Sequence, residues 1–349
     1  MKKLLLSALA VALVAMAGYA SGGAESGGKA ITVGHVVYTM EHQFHQSIAR
    51  ELQSYGPKMY GVKVIILDGG GTGEKMLAAV ENLIAQKVDA ISIHSPETAL
   101  TAKAIELAHA KGIPIVTTLI YPDSKNAPHV QPMETPASYA EGKIAAQQWL
   151  KAFPGTHCKV ALLNFGAWEQ GEVLRFGPFF EGVKAVDPGA ELVSVLNGQG
   201  STEVSMKVTL DILQAHPEVN IFFGGNDEMA LGALAACEQK GRGKMDNGKP
   251  LTEIIAGVDG NSSALIKIYD PSCSFKISQG AVRDVARAEM DCMVGMIQGK
   301  IDMNKFQVIQ ALVKEIDYWQ TSIEDAQVFL IDNYGYKGKL ADDVAKSKM

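Results

Sequence analysis

The stretch Ile221-Phe222-Phe223-Gly224-Gly225-Asn226-Asp227-Glu228-Met229-Ala230-Leu231-Gly232-Ala233-Leu234 decides how this chain reads. Three large apolar residues in a row suit a buried strand covered on both faces. Two glycines then permit a tight turn, and an Asn-Asp pair opens a helix. The Asn226 side chain falls at the carboxyl end of a strand, where open α/β sheets place ligands. Asp227 is expected at the helix N-cap, where a carboxylate accepts backbone N–H groups. A polar site at a strand-to-helix turn of an α/β protein is the first expectation.

The same rhythm extends in both directions. Strands are predicted over 31–37, 62–67, 90–93 and 113–118, with helices over 44–59 and 98–111. Val62 to Leu67 is apolar throughout, as a parallel strand covered on both faces should be. Met76, Leu77, Val80, Leu83 and Ile84 recur at helical spacing. Gly112 ends its helix as a terminator should. Pro122, Pro128, Pro132 and Pro136 then interrupt the pattern and preclude regular helix. That run marks the first crossing between domains. A second series of β-α units follows, with strands over 159–164, 191–196, 220–223 and 253–258. Two α/β halves with parallel sheets result. The region after Gly299 is less regular; 308–313 suits a strand, and the polar tail from Tyr318 has no placement from pattern alone.

Bulk properties narrow the class. With 349 residues, two domains are the natural expectation. Hydrophobic residues at 47% and charged residues at 20% are ordinary for an α/β protein. A net charge of −6 without any Lys/Arg run argues against a nucleic-acid partner. Residues 1–20 read as a cleaved signal peptide: Lys2 and Lys3, an apolar run from Leu4 to Ala17, then Gly18-Tyr19-Ala20. Residues 21–30 read as a flexible Gly/Ser-rich N-terminus. No cysteine lies near Ala20 to carry a lipid, so a periplasmic location is expected. Cys158, Cys237, Cys273 and Cys292 permit three pairings or serve as four small buried hydrophobes.

Several strand-to-helix turns carry residues suited to a polyhydroxylated ligand. Planar amides and carboxylates can each engage neighbouring hydroxyls, and Asn226, Asp259 and Gln279 supply them. Aromatic faces cover a ligand's C–H surface, and Phe44, Trp168 and Tyr38 supply those. Each has a structural alternative: Asp259 as a turn former, Phe44 as core. Asp68-Gly69-Gly70-Gly71-Thr72-Gly73-Glu74-Lys75 lacks the Gly-Lys-[Ser/Thr] ending of a phosphate loop and reads as a surface turn. His42 and His45 lack a clear third ligand for zinc. No metal site or cofactor is expected, and no nucleophile elbow or His-Glu-x-x-His helix points to an enzyme.

The Asn226 turn, Val258-Asp259-Gly260 and Ile277-Ser278-Gln279 resemble the motifs of periplasmic sugar-binding proteins of the ribose-binding type, over about Ile31 to Val313. The resemblance implies two Rossmann-like lobes joined by a three-stranded hinge, with the ligand in the interlobe cleft. It implies crossings near Glu134, Gln279 and Gln307. The N-terminal lobe would then hold 31–134 plus 280–307, and the C-terminal lobe and tail 135–279 plus 308–349. It implies that Asn226, Asp259 and Gln279 bond the sugar, flanked by Tyr38, His42, Phe44 and His45. It also implies an ABC importer permease as partner, a chemoreceptor as a further candidate partner, and a monomer. The family's Asp-Arg pair after the fourth strand is replaced by Thr117-Thr118-Leu119-Ile120. Its second arginine aligns near Phe176, one residue from Arg175. A sugar other than ribose, a polyol or a sugar-derived signal is therefore expected. The alternatives are a receptor for a quorum signal or nucleoside, and a secreted hydrolase.

Overall fold

The structure is a computed structural model and describes residues 30–347 except 96, 167 and 247. The expected signal peptide, residues 1–20, and flexible segment, 21–29, lie outside the described residues. The chain begins with β1 (Thr32–Val37), α1 (Gln43–Tyr60), β2 (Lys63–Asp68), α2 (Gly73–Ala85), β3 (Ala90–His94), α3 (Thr98–His109), β4 (Ile115–Thr118) and β5 (His129–Pro132). It continues with α4 (Glu134–Ala152), β6 (Lys159–Asn164), α5 (Glu169–Gly171), a π-helical turn (Glu172–Phe176), α6 (Gly177–Val186), β7 (Glu191–Asn197), α7 (Thr202–Ala215), β8 (Ile221–Gly224) and α8 (Asp227–Gln239). The remainder is β9 (Met245–Asp246), β10 (Lys249–Pro250), β11 (Ile254–Ala256), α9 (Ser262–Tyr269), β12 (Phe275–Gly280), α10 (Val282–Ile297), β13 (Val308–Ala311), β14 (Lys314–Asp317), α11 (Ile323–Tyr334) and α12 (Leu340–Ser347).

These strands build two six-stranded sheets, ordered β13-β5-β4-β3-β1-β2 and β14-β12-β11-β8-β6-β7. Every pairing is parallel except that of β14 on β12. Helices cover both faces of each sheet, as parallel strands require. In the first lobe α2 and α3 pack on one face, and α1 and α10 on the other. In the second, α4 and α6 lie on one face, and α7, α8 and α9 on the other. The chain passes between sheets three times: at Met133 between β5 and α4, at Ala281 between β12 and α10, and at Leu312-Val313 between β13 and β14.

The structure changes three sequence expectations and selects one of the two alternatives left for the cysteines. The third crossing comes after residue 311, not near Gln307, because Val308–Ala311 pairs in parallel with His129–Pro132 of the first sheet. The C-terminal lobe therefore resumes at β14. The proline-rich run contains β5, with Pro132 ending the strand and Pro136 in the first turn of α4, where a missing N–H costs nothing. β2 is an edge strand with half-buried and exposed residues, so its apolar run does not mean burial on both faces. All four cysteines are buried and unpaired.

Over its described residues the polar tail forms two helices, α11 and α12. In α11, Ala326, Phe329, Leu330, Asn333 and Tyr334 face inward at helical spacing, and Gly335 closes the helix at φ +59°. This helix packs on α9 of the second lobe and on α1 and α10 of the first. Arg50 of α1 donates to the Tyr334 carbonyl, and Arg283 of α10 pairs with Asp332.

Candidate functional site

The Asn226 turn is built by close approach. A Cβ on Gly224 would come within 2.5 Å of the Ala230 nitrogen, and one on Gly225 within 2.6 Å of Phe176. Only glycine lets β8 turn this sharply into α8. The helix cap belongs to Asn226, not to Asp227. Asn226 Oδ1 accepts from the Met229 N–H at 2.9 Å, and its Nδ2 donates to the Gly200 carbonyl at 3.3 Å. Asp227 instead points inward. Its Oδ1 accepts from the Ser278 hydroxyl at 2.7 Å and its Oδ2 from the Asn261 N–H at 2.8 Å. The pair thus ties β8 to the turns after β11 and along β12.

Asp259 follows β11 at φ +118°, a conformation rare for a residue with a Cβ. Neighbours hold it there. Its N–H donates to the Gln279 carbonyl at 2.6 Å, and its own carbonyl accepts from the Tyr334 hydroxyl at 2.6 Å. A Cβ on Gly280 would lie 2.3 Å from that carbonyl oxygen, so glycine is required beside it. Burial, then Glu228 and Asp227, hold the Asp259 carboxyl well above the usual carboxylate range, while Arg175 pulls the other way.

Arg175 comes from the π-helical turn, where the wider winding re-aims a side chain. It grips Glu134 with both arms of its guanidinium, Nε to Oε2 at 2.9 Å and Nη2 to Oε1 at 2.6 Å. Its Nη1 donates to the Gly225 carbonyl at 2.6 Å. The Trp168 ring lies 5.1 Å from the guanidinium. Burial opposes the arginine's charge, and the Glu134 carboxylate outweighs it and raises its pKa.

A narrow pocket opens beside these groups. Phe44 and Val285 of the first lobe line it, facing Glu134, Arg175, Asp259 and Gln279. All three crossings contribute, through Pro132, Ala281 and Val313. Gln279 is buried, with Nε2 donating to Ser138 at 2.8 Å and to Glu141 at 3.1 Å.

Behind Phe44 the first lobe presents an aromatic and imidazole cluster. The Phe44 ring meets His45 edge-on at 5.4 Å and His94 at 6.2 Å. His45 lies 4.5 Å from His94, with His42 stacked at 5.8 Å and Tyr38 edge-on at 6.1 Å. Burial, then His42, lowers His45 to about 3, and burial, then His45, depresses His94 strongly. Both rings are therefore neutral near pH 7.

Of the nine sequence-predicted residues, Phe44, Arg175, Asp259 and Gln279 line the pocket, and Trp168 stands against Arg175. Tyr38, His42 and His45 sit in the cluster behind Phe44, and Asn226 caps α8. Sequence reading missed Glu134 as a partner, Glu141, Glu228, Tyr334 and His94. Two of these carried a signal: His94 is a polar residue ending an apolar strand, and Glu228 stands in the Asn226 turn itself. Among the described residues, no group of three His, Cys, Asp or Glu is arranged to hold a metal ion.

The lips of the cleft are clasped. The Gln170 amide accepts from the Tyr121 N–H at 2.8 Å and donates to its carbonyl at 2.9 Å. On the other side, Ser262 donates to Gln43 at 3.3 Å.

Two doubly wound lobes, three crossings and a hinge-side pocket lined from both lobes define a bilobal ligand-binding protein. The chain belongs to the family described as periplasmic binding protein domain, whose model matches residues 33–301. A ribose import binding protein of Bacillus subtilis is 30% identical over 251 residues, 72% of this chain and 77% of that protein. A putative rhizopine-binding protein of Rhizobium meliloti is 24% identical over 316 residues, 90% of this chain and 96% of that one. Among solved structures, the periplasmic binding component of the arabinose ABC transporter from Shewanella sp. ANA-3, bound to α- and β-L-arabinofuranose, superposes with a TM-score of 0.70. It is 21% identical and covers 90% of this chain and 98% of that one.

Proposed function

We propose that this chain is the periplasmic solute receptor of a carbohydrate ABC importer and closes its two lobes on a monosaccharide or polyol. The carrying observation is the pocket at the hinge, where Phe44 of one lobe faces Arg175, Asp259 and Gln279 of the other. An apolar ring face with planar polar groups opposite is what a carbohydrate's C–H and O–H surfaces need. The ribose and arabinofuranose ligands of the relatives support the class.

In this reading Asp259, Gln279 and Asn226 orient ligand polar groups and Trp168 walls the pocket beside Arg175. His42, His45 and Tyr38 set the shape of the opposite wall. The ligand bridges both lobes and favours the closed form through contacts that the open form lacks. The closed surface is then read by the membrane permease, and the protein acts as a non-catalytic monomer after export by residues 1–20. Thermal-shift and calorimetric titration of the mature protein with sugars and polyols tests this. Saturable binding of at least one is expected; no response to any carbohydrate would sink the assignment.

A further inference from the structure

The hydrogen-bonding capacity left around the pocket is lopsided. Gln279 is buried and lines the pocket, and with its Nε2 spent on Ser138 and Glu141 its Oε1 has no partner. Glu141 Oε1 and Glu228 Oε2 are also buried and unpartnered. The Asp259 carboxylate lines the same pocket, and no described residue donates a hydrogen bond to it. Gln279 Oε1 is an acceptor outright, and the carboxyl groups are acceptors in their ionised forms, which a cation beside them would favour. Trp168 Nε1 is an unpartnered donor on this side.

Charge is unbalanced in the same sense. Arg175, the cation of this wall, is occupied on two nitrogens by Glu134 and on the third by the Gly225 carbonyl. Asp259 therefore lacks a dedicated counter-ion, and Glu228 and Asp227 repel it further. Across the cleft, His45 and His94 are neutral, and His42 acts on Glu228 and not on Asp259 among the leading influences. A hydroxyl brings one donor and no charge. An ammonium brings three donors, no acceptor and one positive charge. A cation beside an aromatic face such as that of Phe44 is also favoured.

We infer that the ligand is an amino-substituted sugar or polyol, whose ammonium group is held by Asp259 and Gln279 Oε1 on the pocket wall, with Glu228 adding negative charge beside Asp259. The inference rests on the carbohydrate-receptor reading and narrows its ligand class. The aromatic wall serves the carbon skeleton, and the surplus of acceptors serves the nitrogen.

Matched pairs that differ only at one nitrogen test this on the wild-type protein by calorimetry: glucose with glucosamine, galactose with galactosamine, glucitol with glucamine. The amine of at least one pair should bind roughly tenfold or more tighter than its neutral counterpart, since a charge-assisted bond is stronger than a neutral one. Asp259→Asn should bring that ratio close to one while lowering affinity for the neutral member less. If Asp259→Asn does not fold, Glu228→Gln should reduce the ratio in the same direction. Neutral members binding as tightly as the amines would overturn the inference and leave the carbohydrate receptor standing. Binding by no member of any pair would overturn the inference, and the receptor reading would then stand or fall on the wider sugar and polyol panel.

Discussion

Arg175 and Glu134 form the most exposed-to-test contact of the site at the residue scale. Both are largely buried, and the two parallel bonds fix the guanidinium plane against Trp168. Removing one partner leaves the other charge buried and unpaired. Arg175→Ala should therefore cost about 3–5 kcal/mol of stability. Urea unfolding at neutral pH measures it, and a loss below about 1 kcal/mol would mean that water replaces the guanidinium. Arg175→Lys should recover little, because an ammonium cannot make the paired contact. The pair and the Gly225 carbonyl take three of the five N–H donors of Arg175, leaving one on each terminal nitrogen.

At the scale of elements, α11 couples the site to the opposite lobe. Tyr334 donates its hydroxyl to the Asp259 carbonyl, and its own carbonyl accepts from Arg50 of α1. The helix thus supports Asp259 at its positive φ while resting on the first lobe. Tyr334→Phe keeps the packing and deletes one buried hydrogen bond, which should cost about 1 kcal/mol. Ligand affinity should fall severalfold with an unchanged circular-dichroism spectrum. Unaltered affinity would show that Gln279 and Gly280 hold Asp259 without help. The helix itself was within reach of sequence reading, since Phe329, Leu330, Asn333 and Tyr334 share a face and Gly335 ends it. The breaking effect of Gly335 and Gly338 concealed it, because a helix-terminating glycine and a loop glycine look alike in sequence.

For the whole molecule, closure and pH response are the testable properties. The Gln170 amide spans the lips through two bonds to Tyr121. Gln170→Ala should shift the ligand-free protein toward an open form, raising its radius of gyration in small-angle scattering and weakening ligand binding by up to roughly tenfold. No change in either would mean that the lobes close without the clasp. The buried histidines set the acid limit of stability. His45 titrates near 3 and His129, lowered chiefly by burial, near 4 when folded, against about 6.5 in an unfolded chain. The unfolded state binds more protons, so their contribution is present above about pH 6.5 and is lost as pH falls toward 4. Asp227, Asp259 and Glu141 are raised by burial and act oppositely, their contribution fading as pH rises above about 4. Thermal unfolding across this range should therefore show a smaller acid-side fall for His129→Asn than for the wild type. Equal slopes would place the loss elsewhere.

The sequence by itself determined the alternation of strands and helices, the two-lobed class and the strand ends at which polar residues gather. Those features are local: they follow from apolar periodicity, glycine turns and helix caps within a few residues. It also placed Phe44, Arg175, Asp259 and Gln279 among the candidates, through side-chain type and family motif. Which groups meet was decided only by the tertiary structure. Glu134 reaches Arg175 across 41 residues, and Tyr334 reaches Asp259 across 75. The last crossing follows β13 because that strand completes the first sheet beside β5, a pairing set by a partner more than a hundred residues away. Pattern within a segment carries no record of its distant neighbour. The balance of charge and hydrogen bonds in the pocket, which depends on those neighbours, therefore appears only once the chain is folded.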